Sequence, residues 1–399
     1  MKILQVNTRY IGGGGAASIA NSLHEYINKN TEHESIFLYG RGEHGDENSI
    51  RIGKNIDTYL SALMNRALGK PYNLYFNNKI EEYIKNFDVI HFHNLHGYYI
   101  NYEKLLKLVV KYDKPIIWTL HDQWTFTGGC AFPGKCNKWR DKCFSCEQKQ
   151  LYPKRYIDRS KSTWGSKRNI LNLLNKEKTI FISPSQWLAD EFKKSYLKDY
   201  RINVIPNGID NNSNLQIDKV EQRKMLGIPI DKKIVLFVAA DPNDGRKGIE
   251  YLFDVITDFS EDIIFISVGK EIKDINYKNL IQLGYIRHKE KINSIYAIAD
   301  VFLSTAIEDN FPTTILEAMS NRLPIVAFDV GGVREQIGEM CGVMINKGNS
   351  NMLKNEIIKL LKNDAKIEEL SINSYKKYSS NYTLECFAEK YVNCYTELI

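Results

Sequence analysis

No apolar run among the 399 residues reaches the ~18 that a membrane-crossing helix needs, so no spanning segment is expected. The opening residues, Met1-Lys2-Ile3-Leu4-Gln5-Val6-Asn7, read as a β-strand. They lack the apolar stretch and small-residue cleavage site of a secretory leader, which predicts a cytoplasmic protein. Cysteine is sparse and odd in number, with seven residues at 130, 136, 143, 146, 341, 386 and 394, which argues against a disulfide framework. No Gly-Lys-Ser/Thr of a phosphate-binding P-loop follows the glycines, and no Ser or Cys nucleophile motif accompanies the histidines, so a hydrolase triad is unsupported. There is no D-x-D sequence. Hydrophobic residues at 43% and charged residues at 26% exclude a disordered chain.

What is present divides into halves. A chain of this length exceeds one compact core, so two domains are expected. Residues 1–200 carry 30 Lys and Arg against 20 Asp and Glu, a net of +10, and the remainder carries 24 against 28, a net of −4. A basic first half suits an anionic partner such as a membrane surface, a phospholipid-linked substrate or nucleic acid; a solvated lysine-rich surface is the other reading.

Short apolar runs alternate with helix-length segments throughout. Ile3–Asn7, Ser35–Tyr39, Asp88–His93, Pro115–His121 and Thr179–Ser183 read as strands in the first half. Ile234–Ala239, Ile263–Val268, Asn279–Leu283, Val301–Ser304, Ile325–Phe328 and Val343–Ile345 do so in the second. They are apolar on both faces, as buried parallel strands are, and the alternation implies an α/β chain of doubly wound parallel sheets. The pattern pauses between about 205 and 232, at Ile205-Pro206-Asn207-Gly208-Ile209-Asp210 and a polar stretch, where the boundary is expected. This gives domains at 1–205 and 206–380. A last helix at 381–399 has apolar or aromatic residues at 384, 387, 388, 391, 392, 395 and 398.

Ligands of open α/β sheets bind at the carboxyl ends of the strands, so motifs there carry the functional argument. The first strand runs into Gly12-Gly13-Gly14-Gly15 and then a helix; such a loop brings backbone N–H groups to an anion, or is only a tight turn. His121 ends the fourth strand and His91 and His93 the third; His121 is read as functional, the other two as sheet packing. In the second half Asp244-Gly245-Arg246-Lys247-Gly248 follows a strand and opens a helix, where Arg246 and Lys247 could neutralise a phosphate group. Asp309 lies in a later loop and Glu317 in the helix that starts near Pro312. Two carboxylates so spaced can hold the hydroxyls of a sugar and a ribose, with free N–H groups at the helix start meeting a diphosphate between them.

The segment Asp309-Asn310-Phe311-Pro312-Thr313-Thr314-Ile315-Leu316-Glu317 resembles the E-x7-E signature of family 4 retaining glycosyltransferases, with Asp309 in place of the first Glu. The resemblance continues in Asn207–Asp210, Arg246-Lys247-Gly248, Gly284-Tyr285-Ile286, Val330–Glu335, Ser183–Leu188 and the Gly12–Gly15 loop. Trp118–Pro153 resembles the subgroup linked to capsule, O-antigen and colanic-acid-type polysaccharides. The family implies the GT-B fold, with two Rossmann-like domains facing across a cleft, the first on the acceptor side, the second binding the nucleotide-sugar, and the last helix returning to the first. It implies hexose transfer with retention from a UDP- or GDP-sugar to a glycan, often undecaprenyl-diphosphate-linked, at the inner face of the membrane and without nucleic acid.

The family also implies roles. His121, Lys247 and Asp309 would be catalytic. Asp309 would bind sugar hydroxyls and Glu317 the ribose, with Lys247, Thr313 and Thr314 on the diphosphate. Asn310 and Phe311 would complete that loop, Tyr285 and Ile286 would lie beside the base, and Gly13 and Gly14 would approach the phosphates. The family's usual Gly-Arg is replaced by Val238-Ala239-Ala240, and Arg246 stands in as the second cation. No enzymatic nucleophile and no catalytic metal are implied. A sugar-nucleotide epimerase and a non-catalytic carbohydrate binder are the alternative functions.

Two features stand apart. Cys130, Cys136, Cys143 and Cys146 could hold a structural zinc; reduced thiols and disulfides are the other readings. Ile56–Leu68 has apolar residues at 56, 60, 63, 64, 67 and 68, with Arg66, Lys70 and Lys79 near by. It reads as an amphipathic helix that packs on the core or rests on an anionic membrane.

Overall fold

The computed structural model describes residues 1–399 except 44, 69–77, 211–217, 260–261 and 274; Lys70 therefore lies outside the described residues. The chain divides into two compact units, one of residues 1–206 and 387–399, the other of residues 207–386.

In the first unit the strands are β1 (Lys2–Arg9), β2 (Glu34–Arg41), β3 (Ser49–Arg51), β4 (Val89–Phe92), β5 (Ile116–Thr119), β6 (Thr179–Ser183) and β7 (Arg201–Val204). They form one parallel sheet in the order β3-β2-β1-β4-β5-β6-β7. In the second unit β8 (Lys233–Val238), β9 (Ile263–Val268), β10 (Leu280–Gln282), β11 (Val301–Ser304), β12 (Ile325–Phe328) and β13 (Gly342–Ile345) form a parallel sheet in the order β10-β9-β8-β11-β12-β13. Both sheets reverse direction of growth beside their first strand, which is the doubly wound topology expected of the α/β alternation.

The inner strands are apolar because both faces are covered. β4, β5, β6 and β12 are buried along their whole length. β3 and β7, absent from the sequence reading, are edge strands with little burial, so no apolar run marks them.

The last helix, Leu384–Glu397, joins the first sheet through polar contacts as well as apolar ones. Tyr395 Oη is 2.6 Å from His91 Nδ1, and Tyr391 Oη is 2.9 Å from Thr119 Oγ1. Where the chain crosses between units, Ile209 pairs with Thr383 as an isolated parallel bridge. Ile209 N–H donates to the Tyr382 carbonyl at 3.0 Å, and Leu384 N–H to the Ile209 carbonyl at 3.0 Å. The two crossings are thus fastened side by side.

The helix Asn55–Leu68 does not face the core with its apolar stripe. Ile56, Leu60, Leu63 and Leu68 are exposed, as is Tyr59, while Asp57, Thr58, Ser61 and Ala62 are buried. No helix among the described residues is long and apolar enough to cross a membrane.

Candidate functional site

In the second unit, three strand ends bring the predicted residues together. After β8, a short 3-10 turn at Gly245–Lys247 is capped by Asp244 and followed by the helix Ile249–Thr257. After β11, the loop ends at Pro312 and the helix Thr313–Ser320 begins. Thr305 Oγ1 donates to the Lys247 carbonyl at 2.8 Å, which fixes one loop against the other. Lys247 Nζ then lies 2.6 Å from Asp309 Oδ2, while Asp309 Oδ1 accepts from its neighbour Asn310 N–H at 2.9 Å. The segment after β12 closes on the same loop: Gly331, at φ 53°, leaves no room for a Cβ, which would sit 1.8 Å from the Asp309 carbonyl oxygen.

The helix Thr313–Ser320 has no side-chain cap at its start, so Thr313 and Thr314 present an N-terminus with its partial positive charge. Glu317 sits farther along it. Burial pushes its carboxyl above the usual range, and the Tyr296 hydroxyl, donating to Oε2 at 2.7 Å, acts in the opposite direction. Phe311 is buried and edge-on to Tyr382, and Asn310 is buried beside it. Asn207 Nδ2 donates to the Phe311 carbonyl at 3.2 Å and Gln336 Nε2 to the Pro312 carbonyl at 3.0 Å. Tyr285 is exposed, while Ile286 packs on the core of this unit.

Arg246 is held by Asp244. Its guanidinium is paired with Asp244, Nε to Oδ1 at 3.1 Å and Nη2 to Oδ2 at 2.5 Å. A bidentate partner two residues away competes with any phosphate for it. Sequence reasoning did not single out Tyr296, Thr305 or Gln336, because each acts through contacts between residues distant in the chain.

In the first unit, Gly13 and Gly14 precede the helix Gly15–Asn30, whose N-cap, Gly14, has no side-chain bond. A side chain at Gly14 would meet nothing within 4 Å, whereas one at Gly13 would strike Ala17 Cβ at 2.6 Å. The loop is therefore open at Gly14 and packed at Gly13. His121 follows β5. Burial pushes it down to about 4, against the attraction of Asp122. Its Nε2 is 3.0 Å from His93 Nδ1, so the two rings are within hydrogen-bond distance. Beside it, His96 Nε2 is 2.8 Å from Asp122 Oδ2.

The four clustered cysteines line one cavity of about 330 Å³. All seven cysteines are free thiols, so no disulfide is formed. Burial pushes Cys130 up to about 12 and Cys143 up to about 11. The Gly128 N–H donates to Cys143 Sγ at 3.1 Å. Among the described residues, no group of three or more His, Cys, Asp or Glu is arranged to hold a metal ion, so the thiols share a cavity without a ready-made zinc geometry.

Comparison with known proteins adds to this geometry. Residues 13–213, half of the chain, match the model of Glycosyltransferase Family 4, and residues 218–377 match that of Glycosyl transferases group 1. The chain is similar to the colanic acid biosynthesis glycosyl transferase WcaC of Escherichia coli K12, with 29% identity covering 100% of both chains. In structure it resembles sucrose-phosphate synthase from Thermosynechococcus elongatus, at 17% identity and TM-score 0.71, covering 100% of this chain and 98% of that one. It also resembles HepE of Anabaena, solved in complex with UDP-glucose, at 17% identity and TM-score 0.65, covering 99% of each. These likenesses establish the GT-B fold. With half of its length matched by the family model, the chain belongs to Glycosyltransferase Family 4 and is a glycosyltransferase.

Proposed function

We propose that this glycosyltransferase moves a hexose, with retention, from a UDP- or GDP-sugar to a lipid-linked glycan during assembly of a bacterial surface polysaccharide. The observation that carries the reading is the grouping of Lys247, Asp309, the uncapped start of helix Thr313–Ser320 and Glu317 within one unit. A cation and a helix N-terminus suit a diphosphate, and the two carboxylates suit the hydroxyls of a sugar and a ribose. The similarity to WcaC supports the polysaccharide setting, and the resemblance to HepE with its UDP-glucose supports a nucleotide-sugar donor.

In this reading Lys247 and the N–H groups of Thr313 and Thr314 stabilise charge as it develops on the leaving diphosphate. Asp309 orients the sugar through its hydroxyls and Glu317 holds the ribose. Asn310 and Phe311 shape the loop, and Tyr285 and Ile286 flank the base. In the first unit, Gly13 and Gly14 offer N–H groups to phosphate, and His121 meets a sugar hydroxyl. The acceptor hydroxyl attacks the anomeric carbon from the face the leaving group departs, and the departing phosphate oxygen takes its proton. Rate enhancement then rests on positioning and on leaving-group stabilisation.

Two features support an anionic, membrane-borne acceptor. Arg9, Arg41, Arg66 and Arg155 of the first unit have no ion-pair partner among the described residues, and Arg41 and Arg66 lie within 5.8 Å and 5.4 Å of the Tyr98 ring. Burial lowers Arg41, and the neighbouring Arg9 and Arg66 act in the same direction. The exposed apolar stripe of helix Asn55–Leu68 could rest in a membrane interface.

The test is a thermal-stability screen across UDP-, GDP- and dTDP-sugars, followed by nucleotide release from the stabilising sugar with and without a bacterial lipid extract. Release that depends on the extract, and is lost in Asp309→Ala, supports transfer. Conversion of the sugar nucleotide without any acceptor would support the epimerase instead.

A further inference from the structure

We propose that Arg41 and Arg66, grouped on the Tyr98 ring with Arg9 beside them, form a site for the diphosphate of a lipid-linked acceptor. That the diphosphate belongs to an acceptor rests on the reading above, in which the acceptor is anionic and membrane-borne.

The site begins at a sheet edge in the first unit. Arg9 ends β1, Arg41 ends β2, and the two are register partners. Both therefore stand at the carboxyl edge of the sheet, where ligands of open α/β sheets bind. Like charges on directly paired strand positions repel. Burial lowers Arg41, and Arg9 and Arg66 push it the same way. No acid offsets this: among the described residues Arg9, Arg41 and Arg66 have no ion-pair partner, and the Nε atoms of Arg41 and Arg66 are buried without a hydrogen-bond partner. Arg9 Nη1 donates to the Gly12 carbonyl at 3.2 Å, which leaves its charge in place.

Tyr98 gathers two of these cations. Its backbone has φ 67°, in the left-handed region that a bulky residue rarely adopts, directly after Gly97 at φ 98°. Its hydroxyl donates to the Lys154 carbonyl at 2.7 Å, so the buried ring is fixed at both ends. Arg41 Cζ lies 5.8 Å and Arg66 Cζ 5.4 Å from the ring centroid. A guanidinium over an aromatic face keeps its N–H edge free for an anion. The strained turn thus fixes a platform under two guanidiniums that the protein supplies with no acid.

Three cations call for more than one negative charge. A carboxylate brings one, and a single guanidinium binds it bidentately. A diphosphate brings more charge and enough oxygens for two guanidinium forks. Buried Arg155 adds to the positive field without entering the clamp, since its Nη2 donates to the Gly128 carbonyl at 2.8 Å and its Nη1 to Thr163 Oγ1 at 3.4 Å. Asp122, which acts on the neighbouring Tyr152, is already engaged by His96 Nε2 at 2.8 Å and by the Trp124 N–H at 2.8 Å.

The clamp continues into an apolar surface, which points to a lipid. Arg66 lies in the last turn of helix Asn55–Leu68. Tyr59, Leu63 and Arg66 follow one another at spacings of four and three, so they lie along one side of the helix. Tyr59 and Leu63 are both exposed. A soluble phosphate ester gains nothing from an apolar strip beside its anion, whereas a prenyl-type diphosphate has a part for each. With the strip seated in a membrane interface, Arg66 stands at the level of the headgroups.

The test is calorimetry on the full chain with geranyl diphosphate, inorganic pyrophosphate and geraniol. Each is titrated with the nucleoside diphosphate chosen by the stability screen at saturation, so that the donor site is filled. Geranyl diphosphate should bind, and its affinity should fall at least tenfold in Arg41→Gln and in Arg66→Gln, the size of a lost charge-assisted bond. Arg201→Gln, at an exposed arginine paired with Glu397, should change nothing. Each clamp variant removes a repelling charge, so the unfolding midpoint should hold or rise. Arg66 is part-exposed near a helix end, so its variant decides the matter even if Arg41→Gln does not fold. No binding of geranyl diphosphate, affinity unchanged in both variants, or equal binding of geraniol would overturn the proposal. Pyrophosphate binding as tightly, with the same losses, supports a phosphate site and overturns the lipid, and with it the lipid-linked acceptor. Arginine-dependent binding of geranyl diphosphate by a chain that takes up no nucleotide supports the site and overturns only the donor assignment.

Discussion

Lys247 Nζ and Asp309 Oδ2 stand 2.6 Å apart, so the cation suited to a diphosphate and the carboxylate suited to sugar hydroxyls hold one another. Each group is partly open, at 27% and 16% exposure, and a pair of this kind contributes on the order of 0–1 kcal/mol to stability. Lys247→Met should therefore leave the unfolding midpoint within a degree or two of wild type while lowering turnover of the sugar nucleotide about a hundredfold. Steady-state kinetics beside thermal unfolding separates the two effects. A variant that unfolds readily yet keeps its turnover would make the pair a structural clasp.

Glu317 is held by Tyr296, whose hydroxyl donates to Oε2 at 2.7 Å. Tyr296→Phe should raise the Glu317 carboxyl further, because burial already pushes it up and the hydroxyl opposes that push. Nucleotide affinity, measured by calorimetry, should fall about tenfold, with turnover at saturation less affected. Glu317→Ala should lower affinity at least as much. Equal loss of affinity in an Asp309→Ala control would assign both carboxylates to the same part of the donor.

Acid should destabilise the first unit over a defined window. His24, His91, His93 and His121 are all lowered by burial, His121 to about 4. The unfolded chain then binds protons that the folded one refuses, from about pH 6.5 down to about 4, so stability present above 6.5 is lost as pH falls through that range. His121 alone accounts for roughly 3 kcal/mol across it. Glu317, raised in the folded chain, works in the opposite direction, but it is one group against four. Chemical unfolding at pH 7.5 and pH 5 should show the lower stability at pH 5. Equal stabilities would mean that these imidazoles are protonated in the folded state.

The exposed stripe of helix Asn55–Leu68 should govern attachment to lipid. Replacing Leu60 and Leu63 together by Glu should reduce co-sedimentation with vesicles containing anionic phospholipid by at least tenfold. Binding of the sugar nucleotide should be unchanged. Undiminished sedimentation would assign the stripe to another partner.

Much of this was legible in the residues. Eleven apolar runs identified the nine inner strands and the two edge strands of the second sheet, because a parallel strand buried on both faces has little choice but Val, Ile, Leu and Phe. The missed strands, Ser49–Arg51 and Arg201–Val204, lie at the edges of the first sheet and have no fully buried residue, so no apolar run marks them. Lys247, Asp309 and Glu317 were singled out as candidates by spacing along the chain, since a loop followed by a helix N-terminus is a local object.

By itself, the sequence determined the alternation of strands and helices, the two-part division and the residue types at the strand ends, since these follow from periodicity and local turn chemistry. Only the tertiary structure decided the rest. It turned the apolar face of helix Asn55–Leu68 outward, a choice that periodicity cannot make because a helix shows the same stripe whichever way it faces. It paired Arg246 with Asp244 and Lys247 with Asp309, and it gave Glu317 to Tyr296. It also brought Arg41 and Arg66 to the Tyr98 ring. These residues lie far apart in the chain, and a shared contact is a property of what touches what, which strand pairing and helix packing alone establish.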